Sequence, residues 1–290
     1  SIVGLFLFAF GLNNIFAQVQ VRREMSLMHS PSSIIMVEKD SATANAMIDM
    51  VVAEFKRIED KISEWDPKSE VSQINANAGI NPVKVSDETY DFLKRSQNIS
   101  RLTEGAFDLS WASLGKIWQF DGTQDQIPAP EKVKESISLV NYKDIIFNDA
   151  EKTVFLKNKG MKIGTGGNGQ GFGVDKSVVL LKEKGVKNAL INASGDIYAF
   201  GKQADGTPWK IGISNPLDKH KVFAYLQLNE KALTTSGNYE KYILYKGEKY
   251  SHIIDPRTGY PARGVQSVSV YSRSAELSDA LDTALFILGP

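Results

Sequence analysis

Between Thr43 and Ile62 the apolar side chains fall in a helical rhythm. Ile48, Val51, Val52, Phe55, Ile58 and Ile62 recur at steps of about three and four residues, which puts them on one face. Thr43 is placed to cap the start. Trp65-Asp66-Pro67 is placed to end the helix, because Pro67 disfavours helical geometry at Asp66. A second helix is predicted after Ser86, with Tyr90, Leu93 and Ile99 on its apolar face and Gly105 as its stop. A short third one is predicted over 130–139, with Pro130 in its first turn. The pattern then changes to short apolar runs broken by polar residues. Strands are predicted at 144–148, 153–157 and 161–163, and at 189–192 and 196–200 around a Ser194-Gly195 turn. Residues 209–214, 223–228, 240–245 and 267–271 continue the strand signal. A glycine-dense loop, Gly164 to Gly171, leads into a helix over 174–184 that Gly185 ends, and a last helix is predicted over 275–288.

Helices cluster early and strands late, with no solenoid repeat and no Pro-, Gly- or Ser-rich linker. The fold class expected is α+β: one large domain over 18–290, with a mixed, mainly antiparallel sheet and packed helices. The chain stops at Pro290 with no closing element, so an incomplete C-terminus is expected.

Composition narrows the chemistry. There are 34 Lys+Arg against 34 Asp+Glu, so no basic excess exists to neutralise a phosphate backbone, and nucleic acid is excluded as a partner. The absence of cysteine excludes disulfide scaffolds, thiolate zinc sites, cysteine nucleophiles, Fe–S clusters and a lipidated cysteine. Residues 1–17 read SIVGLFLFAFGLNNIFA; the run from Ile2 to Phe10 is too short to span a bilayer. It has the form of a secretory signal core, with cleavage near Ala17, and lacks the initiator Met and basic start of a complete one. Export to the periplasm or cell envelope is expected.

Four constellations carry candidate chemistry. Gly164, Gly166 and Gly169 satisfy G-x-G-x-x-G, which lets a backbone approach phosphate ahead of a helix N-terminus. The strand before it is short and the nearest acid, Asp196, comes late, so a close-packed glycine corner explains the spacing equally well. Second, Asp279, Asp282 and Thr283 share one helical face. Oxygen donors without His or Cys suit Mg²⁺ or Ca²⁺, while a solvated acidic first turn is the plainer reading. Third, His252 precedes the turn Asp255-Pro256-Arg257-Thr258-Gly259 and is a candidate proton acceptor or a structural residue. No G-x-S-x-G elbow accompanies it, which leaves a serine hydrolase unsupported. Fourth, Thr103 to Asp108, with Trp65 and Met28, offers apolar groups and an acid for a planar ring, or ordinary core packing.

Taken together and in this order, the segments from about Met25 onward resemble the FAD:protein FMN transferase family, the ApbE family. The carriers are Ser63 to Ser72, Gly105-Ala106-Phe107-Asp108, the glycine loop with Phe172-Gly173-Val174-Asp175, Asn192 to Ile197, Thr235 to Tyr239, Ser251 to Gly259 and Asp279 to Thr283. The resemblance implies an enzyme that binds FAD with Mg²⁺, cleaves its pyrophosphate, joins FMN through phosphate to a threonine of a partner protein, and releases AMP. It implies Mg²⁺ on Asp279, Asp282, Thr283 and the carbonyl of Gly167. It implies FAD contacts from Met28, Trp65, Ala106, Phe107, Asp108, Gln170 and Ile254, and it makes His252 the candidate base. The implied acceptor is a membrane-associated electron-transfer subunit with a Ser/Thr-containing motif, so peripheral membrane association is an expectation too. Gly164, Gln170, Asn238 and Met28-His29-Ser30 depart from the residues common in the family. A Mg²⁺-dependent FAD pyrophosphatase and a noncatalytic FAD-binding protein are the rival readings, and a nicotinamide dehydrogenase is a distant one.

Overall fold

The computed structural model describes residues 18–120, 123–124, 126–238 and 242–290. The expected signal segment lies outside the described residues, as do the first two residues of the strand predicted over 240–245. Six strands form the main sheet, in the order Val19–Leu27, Ser30–Glu38, Asn188–Ala193, Asp196–Phe200, Lys231–Gly237, Ser267–Ser272. Every neighbouring pair in it is antiparallel, which agrees with the expected α+β class and removes the parallel βαβ frame that a dinucleotide-binding glycine loop needs.

Successive side chains of a strand point to opposite faces, and the two faces are covered differently. Ile34, Met36, Ala189, Ile191, Tyr198 and Phe200 pack under helices α1 (Ser41–Ile62) and α5 (Gly169–Glu183). Val37, Leu190, Ala199 and Leu233 pack under a long hairpin, Trp209–Asn215 with Asp218–Leu228. A second apolar cluster joins the end of α1 to α2 (Glu70–Ala76), α3 (Asp87–Leu102) and a small sheet of Val83–Lys84, Thr153–Leu156 and Ile145–Asn148. α4 (Pro130–Ser136) is followed by a single 3-10 turn to Leu139, and α6 (Ala275–Leu288) lies against the last two strands of the main sheet.

Several expectations change in detail. The cap of α1 is Asp40, whose carboxylate accepts from the Thr43 amide at 2.6 Å, and the helix ends at Ile62, before the Trp65-Asp66-Pro67 segment. Residues 161–163 are not a strand. The carboxamide of Asn75 takes the place of a neighbouring strand, accepting from the Ile163 amide at 2.8 Å and donating to its carbonyl at 2.9 Å. α5 begins at Gly169, five residues before position 174, so the end of the glycine loop is already helix. The helix can start there because Gly171 and Gly173 leave room. A Cβ on Gly171 would lie 2.4 Å from the Ala275 carbonyl oxygen, and one on Gly173 would lie 2.6 Å from the Phe55 ring.

Candidate active site

One cavity of about 300 Å³ opens at the end of the main sheet where Ser194, Asp196, Thr235 and Ser236 lie. α6 supplies Asp279, Asp282 and Thr283, which the helical spacing of four and three residues brings to the same wall. Facing them are Gly166, Gly167 and Gln170 from the glycine loop and the start of α5. Ala106, Phe107 and Asp108 form another wall, and His252, Ile253, Ile254 and Pro256 a further one. Thus Ala106, Phe107, Asp108, Gly167, Gln170, His252, Ile254, Asp279, Asp282 and Thr283 all meet around one space.

Met28 and Trp65 do not line it. Met28 sits in the tight turn between the first two strands, partly buried and packed against both apolar clusters. Trp65 is 72% exposed, with the Lys116 ammonium 5.3 Å from its ring centre. The turn still touches the site, because Gln170 Nε2 donates to Ser30 Oγ at 2.8 Å. His29, in the same turn, projects outward and meets Glu59 at 3.1 Å.

The acids are held tightly. Asp282 is 2% exposed and accepts from Ser236 Oγ at 2.8 Å. Asp279 accepts from the Gly171 amide at 3.1 Å. Burial pushes the Asp279 carboxyl up to about 7, against the pull of that hydrogen bond. Burial, then the charge of Asp279, raises Asp282 in the same sense. Asp196 is also buried, and burial with the nearby Asp279 and Asp282 raises it well above the usual carboxylate range. Asp196, Ser236, Thr235, Ser194 and Trp111 line the cavity without having been singled out as site residues in the sequence. Asp196 had a signal, since it follows the Ser194-Gly195 turn.

The rest of the wall is built to stay in place. Asp108 accepts from the amide and hydroxyl of Ser110 and from the Tyr142 amide, while burial raises its pKa. The His252 turn is anchored by the Trp118 indole, which donates to the Gly259 carbonyl at 2.8 Å, and by the Arg257–Asp255 fork. At Gly167 a Cβ would lie 3.1 Å from the Phe107 ring, so any side chain there would press on a cavity wall.

No lysine or arginine lines this cavity among the described residues, although four carboxylates do: Asp108, Asp196, Asp279 and Asp282. Like charges gathered out of water need a counter-cation or protons. The available donors are carboxylates, a hydroxyl and backbone carbonyls, the set a hard divalent cation takes. Among the described residues no three His, Asp or Glu side chains are disposed to hold one metal ion. A cation here would therefore rest on the two carboxylates of α6 and on neutral oxygens.

Comparison with known proteins places the chain in a family. The chain is 30% identical over 265 residues to an FAD:protein FMN transferase of Klebsiella pneumoniae, covering 91% of this chain and 81% of that protein. It is 31% identical over 256 residues to one of Vibrio cholerae, covering 86% and 75%. The crystal structure of the ApbE protein of Thermotoga maritima superposes with a TM-score of 0.82 at 33% identity, covering 93% of this chain and 87% of that one. The flavin transferase ApbE of Vibrio cholerae does so with a TM-score of 0.82 at 28% identity, covering 94% and 88%. Residues 28–290 match the ApbE family, and the chain belongs to it.

Proposed function

We propose that this protein is an FAD:protein FMN transferase that requires Mg²⁺, modifies a threonine of a partner protein and releases AMP. One observation carries the reading: Asp279, Asp282, Thr283, the Gly167 backbone and His252 surround a single cavity in a fold shared with proteins of that name. Asp279, Asp282, Thr283 and the Gly167 carbonyl would hold the cation. The cation would neutralise charge on the pyrophosphate and favour departure of AMP.

The chain's own groups do the rest. Phe107, Ala106 and Ile254 offer apolar contact to the flavin, and Asp108 and Gln170 offer polar contact. His252 accepts the proton of the acceptor threonine as its oxygen bonds to the FMN phosphorus and the bond to the AMP phosphate breaks. The aromatic and apolar walls, with Trp111 and Leu114, limit water as a competing acceptor. Met28 and Trp65 stand as FAD contacts by family resemblance alone, since neither lines this cavity.

An exported location, in the periplasm or cell envelope, is part of the proposal and rests on the apolar segment Ile2 to Phe10. Among the described residues no helix is long and apolar enough to cross a membrane. The acceptor would then be an electron-transfer subunit presented at the membrane surface.

The test incubates the protein with FAD, Mg²⁺ and a threonine-bearing acceptor and follows the acceptor by mass spectrometry, with AMP measured in parallel. An acceptor heavier by one FMN, lost with EDTA, is expected. AMP without a modified acceptor would make the protein a pyrophosphatase, and bound FAD without AMP would make it a binding protein.

A further inference from the structure

The glycine loop is held from behind by Glu64, Thr165 and Asn75, which do not line the cavity, and by Trp111, which does. Glu64, just past the end of α1, accepts from the Thr165 amide at 3.1 Å. The Thr165 hydroxyl donates to the Ile62 carbonyl at 2.9 Å, so the same stretch of chain grips Thr165 twice. Trp111 Nε1 donates to the Gly164 carbonyl at 3.1 Å, and the Asn75 carboxamide holds Ile163. Loop and carboxylate are fitted as one piece: a Cβ on Gly164 would lie 2.4 Å from Glu64 Oε2 and 2.9 Å from the Trp111 ring. Partial burial raises the Glu64 carboxyl above its ordinary value, so this acid is placed there against its own solvation preference. Thr165 is two residues from Gly167, which lines the cavity together with the acids of α6.

We propose that Glu64 is a positioning residue whose hydrogen bond to Thr165 fixes the 165–167 backbone and thereby sets the affinity of the cavity for a divalent cation. The inference rests on the reading of Gly167, Asp279, Asp282 and Thr283 as cation donors. Glu64 does not touch cation or FAD in this scheme. It acts through the loop, as outer groups around metal sites act through the ligands they orient.

The experiment uses the full chain and three variants: Glu64→Ala, Glu64→Gln and Asp279→Asn. Mg²⁺ alone is titrated by calorimetry without FAD, and AMP release from FAD is then measured against Mg²⁺ concentration. Amide exchange over residues 163–169 reports the loop directly. Glu64→Ala is expected to weaken Mg²⁺ binding roughly tenfold, to speed exchange of the Thr165 amide, and to keep its rate at saturating Mg²⁺ near wild type. Glu64→Gln, which retains an acceptor oxygen, is expected to behave as wild type. If Glu64→Ala does not fold, Glu64→Asp, with a shorter reach, replaces it under the same expectations. Unchanged Mg²⁺ binding in Glu64→Ala, or a loss in Glu64→Gln equal to that in Glu64→Ala, overturns the inference. Asp279→Asn separates the two readings. If it abolishes Mg²⁺ binding while Glu64→Ala does not weaken it, only the positioning role fails. If Asp279→Asn binds Mg²⁺ as wild type does, the cation reading fails and takes this inference with it.

Discussion

The Asp279 carboxylate on α6 accepts a hydrogen bond from the Gly171 amide on α5 at 3.1 Å. Gly171 is in the first turn of α5, where backbone amides have no partner within the helix. The tie is matched in the other direction. Asp175, one turn further along α5, accepts from the Ala275 and Glu276 amides at 2.8 and 3.1 Å and from the Ser274 hydroxyl at 2.6 Å. Each helix thus supplies a carboxylate to the start of the other, and the positive ends of both helix dipoles favour it. The site acid Asp279 is held in place by the same contact that joins the two helices.

This contact leaves no space at Gly171, where a Cβ would lie 2.4 Å from the Ala275 carbonyl oxygen and 2.8 Å from the Glu276 amide. Backbone atoms on both sides cannot swing away as a side chain could. Gly171→Ala is expected to destabilise the protein by about 3 kcal/mol, toward the upper end for overpacking. Urea denaturation would show the loss as a lower midpoint. An unchanged midpoint would mean that α5 and α6 separate easily.

Asp279→Asn should divide stability from chemistry. The asparagine Oδ1 can still accept from Gly171, so the link between the helices survives. The negative charge, which burial disfavours, is removed. Stability is expected to stay within about 1 kcal/mol of wild type, while AMP release falls by a factor on the order of 10² or more. EDTA should reproduce the loss in the wild type and add nothing to the variant. Substantial activity in Asp279→Asn would show that its charge is not needed.

The sequence rhythm of Ile48 to Ile62 sufficed for α1 because that helix buries one face along its whole length. Asp279, Asp282 and Thr283 were legible because helical spacing alone puts them together. The first two strands were not. Val19–Leu27 is an edge strand whose alternation of Val19, Val21, Met25 and Leu27 with polar residues is broken at Arg23, and Ser30–Glu38 opens with Pro31 among three serines and continues as an unbroken apolar run. Lys231–Gly237 runs between two strands with no exposed residue and three buried in succession, which erases the period of two. Ser236 joins the site only through the pairing of strands distant in sequence, which no local signal reports, and Asp196 had only its place after the Ser194-Gly195 turn. Residues 161–163 misled because a side chain, Asn75, mimics a strand partner.

Glu88 gives the protein a charge-dependent joint between α1, α3 and α5. Its carboxylate meets Arg57 through two hydrogen bonds of 2.6 and 2.9 Å, Lys61 at 2.8 Å and Lys176 at 2.9 Å. These cations, Arg57 first, hold its pKa far below the ordinary value of 4.5. A depressed carboxylate contributes its full stability above its unfolded pKa and loses that contribution as pH falls toward the folded value. Wild-type stability should therefore decline below about pH 4.5. Glu88→Gln should cost about 1–2 kcal/mol near pH 7, after allowance for solvent screening at a partly exposed network. Its denaturation midpoint should change less than that of the wild type between pH 6 and 3. Parallel curves for the two proteins would show that other carboxylates govern the acid limb.

His252 tests whether the acceptor threonine is activated by the chain. It stands on the cavity wall with its ring 6.4 Å, edge to face, from Phe120, on a turn anchored independently by Trp118 and by the Asp255–Arg257 fork. Replacing it should leave that turn in place, because neither anchor involves the imidazole. A general base typically contributes about 10²–10⁴-fold, so His252→Ala should slow transfer to threonine at least about 10²-fold. FAD binding, measured by flavin fluorescence, should be nearly unchanged. The pH profile separates a base from a bystander: the wild-type rate should rise through the imidazole titration, and the variant's residual rate should lack that limb. Raising the pH should recover part of the variant's activity as the hydroxyl ionises without help. Near-normal transfer by His252→Ala, beside an inert Asp279→Asn, would confine His252 to a structural role and leave the threonine to be activated by the charge around it.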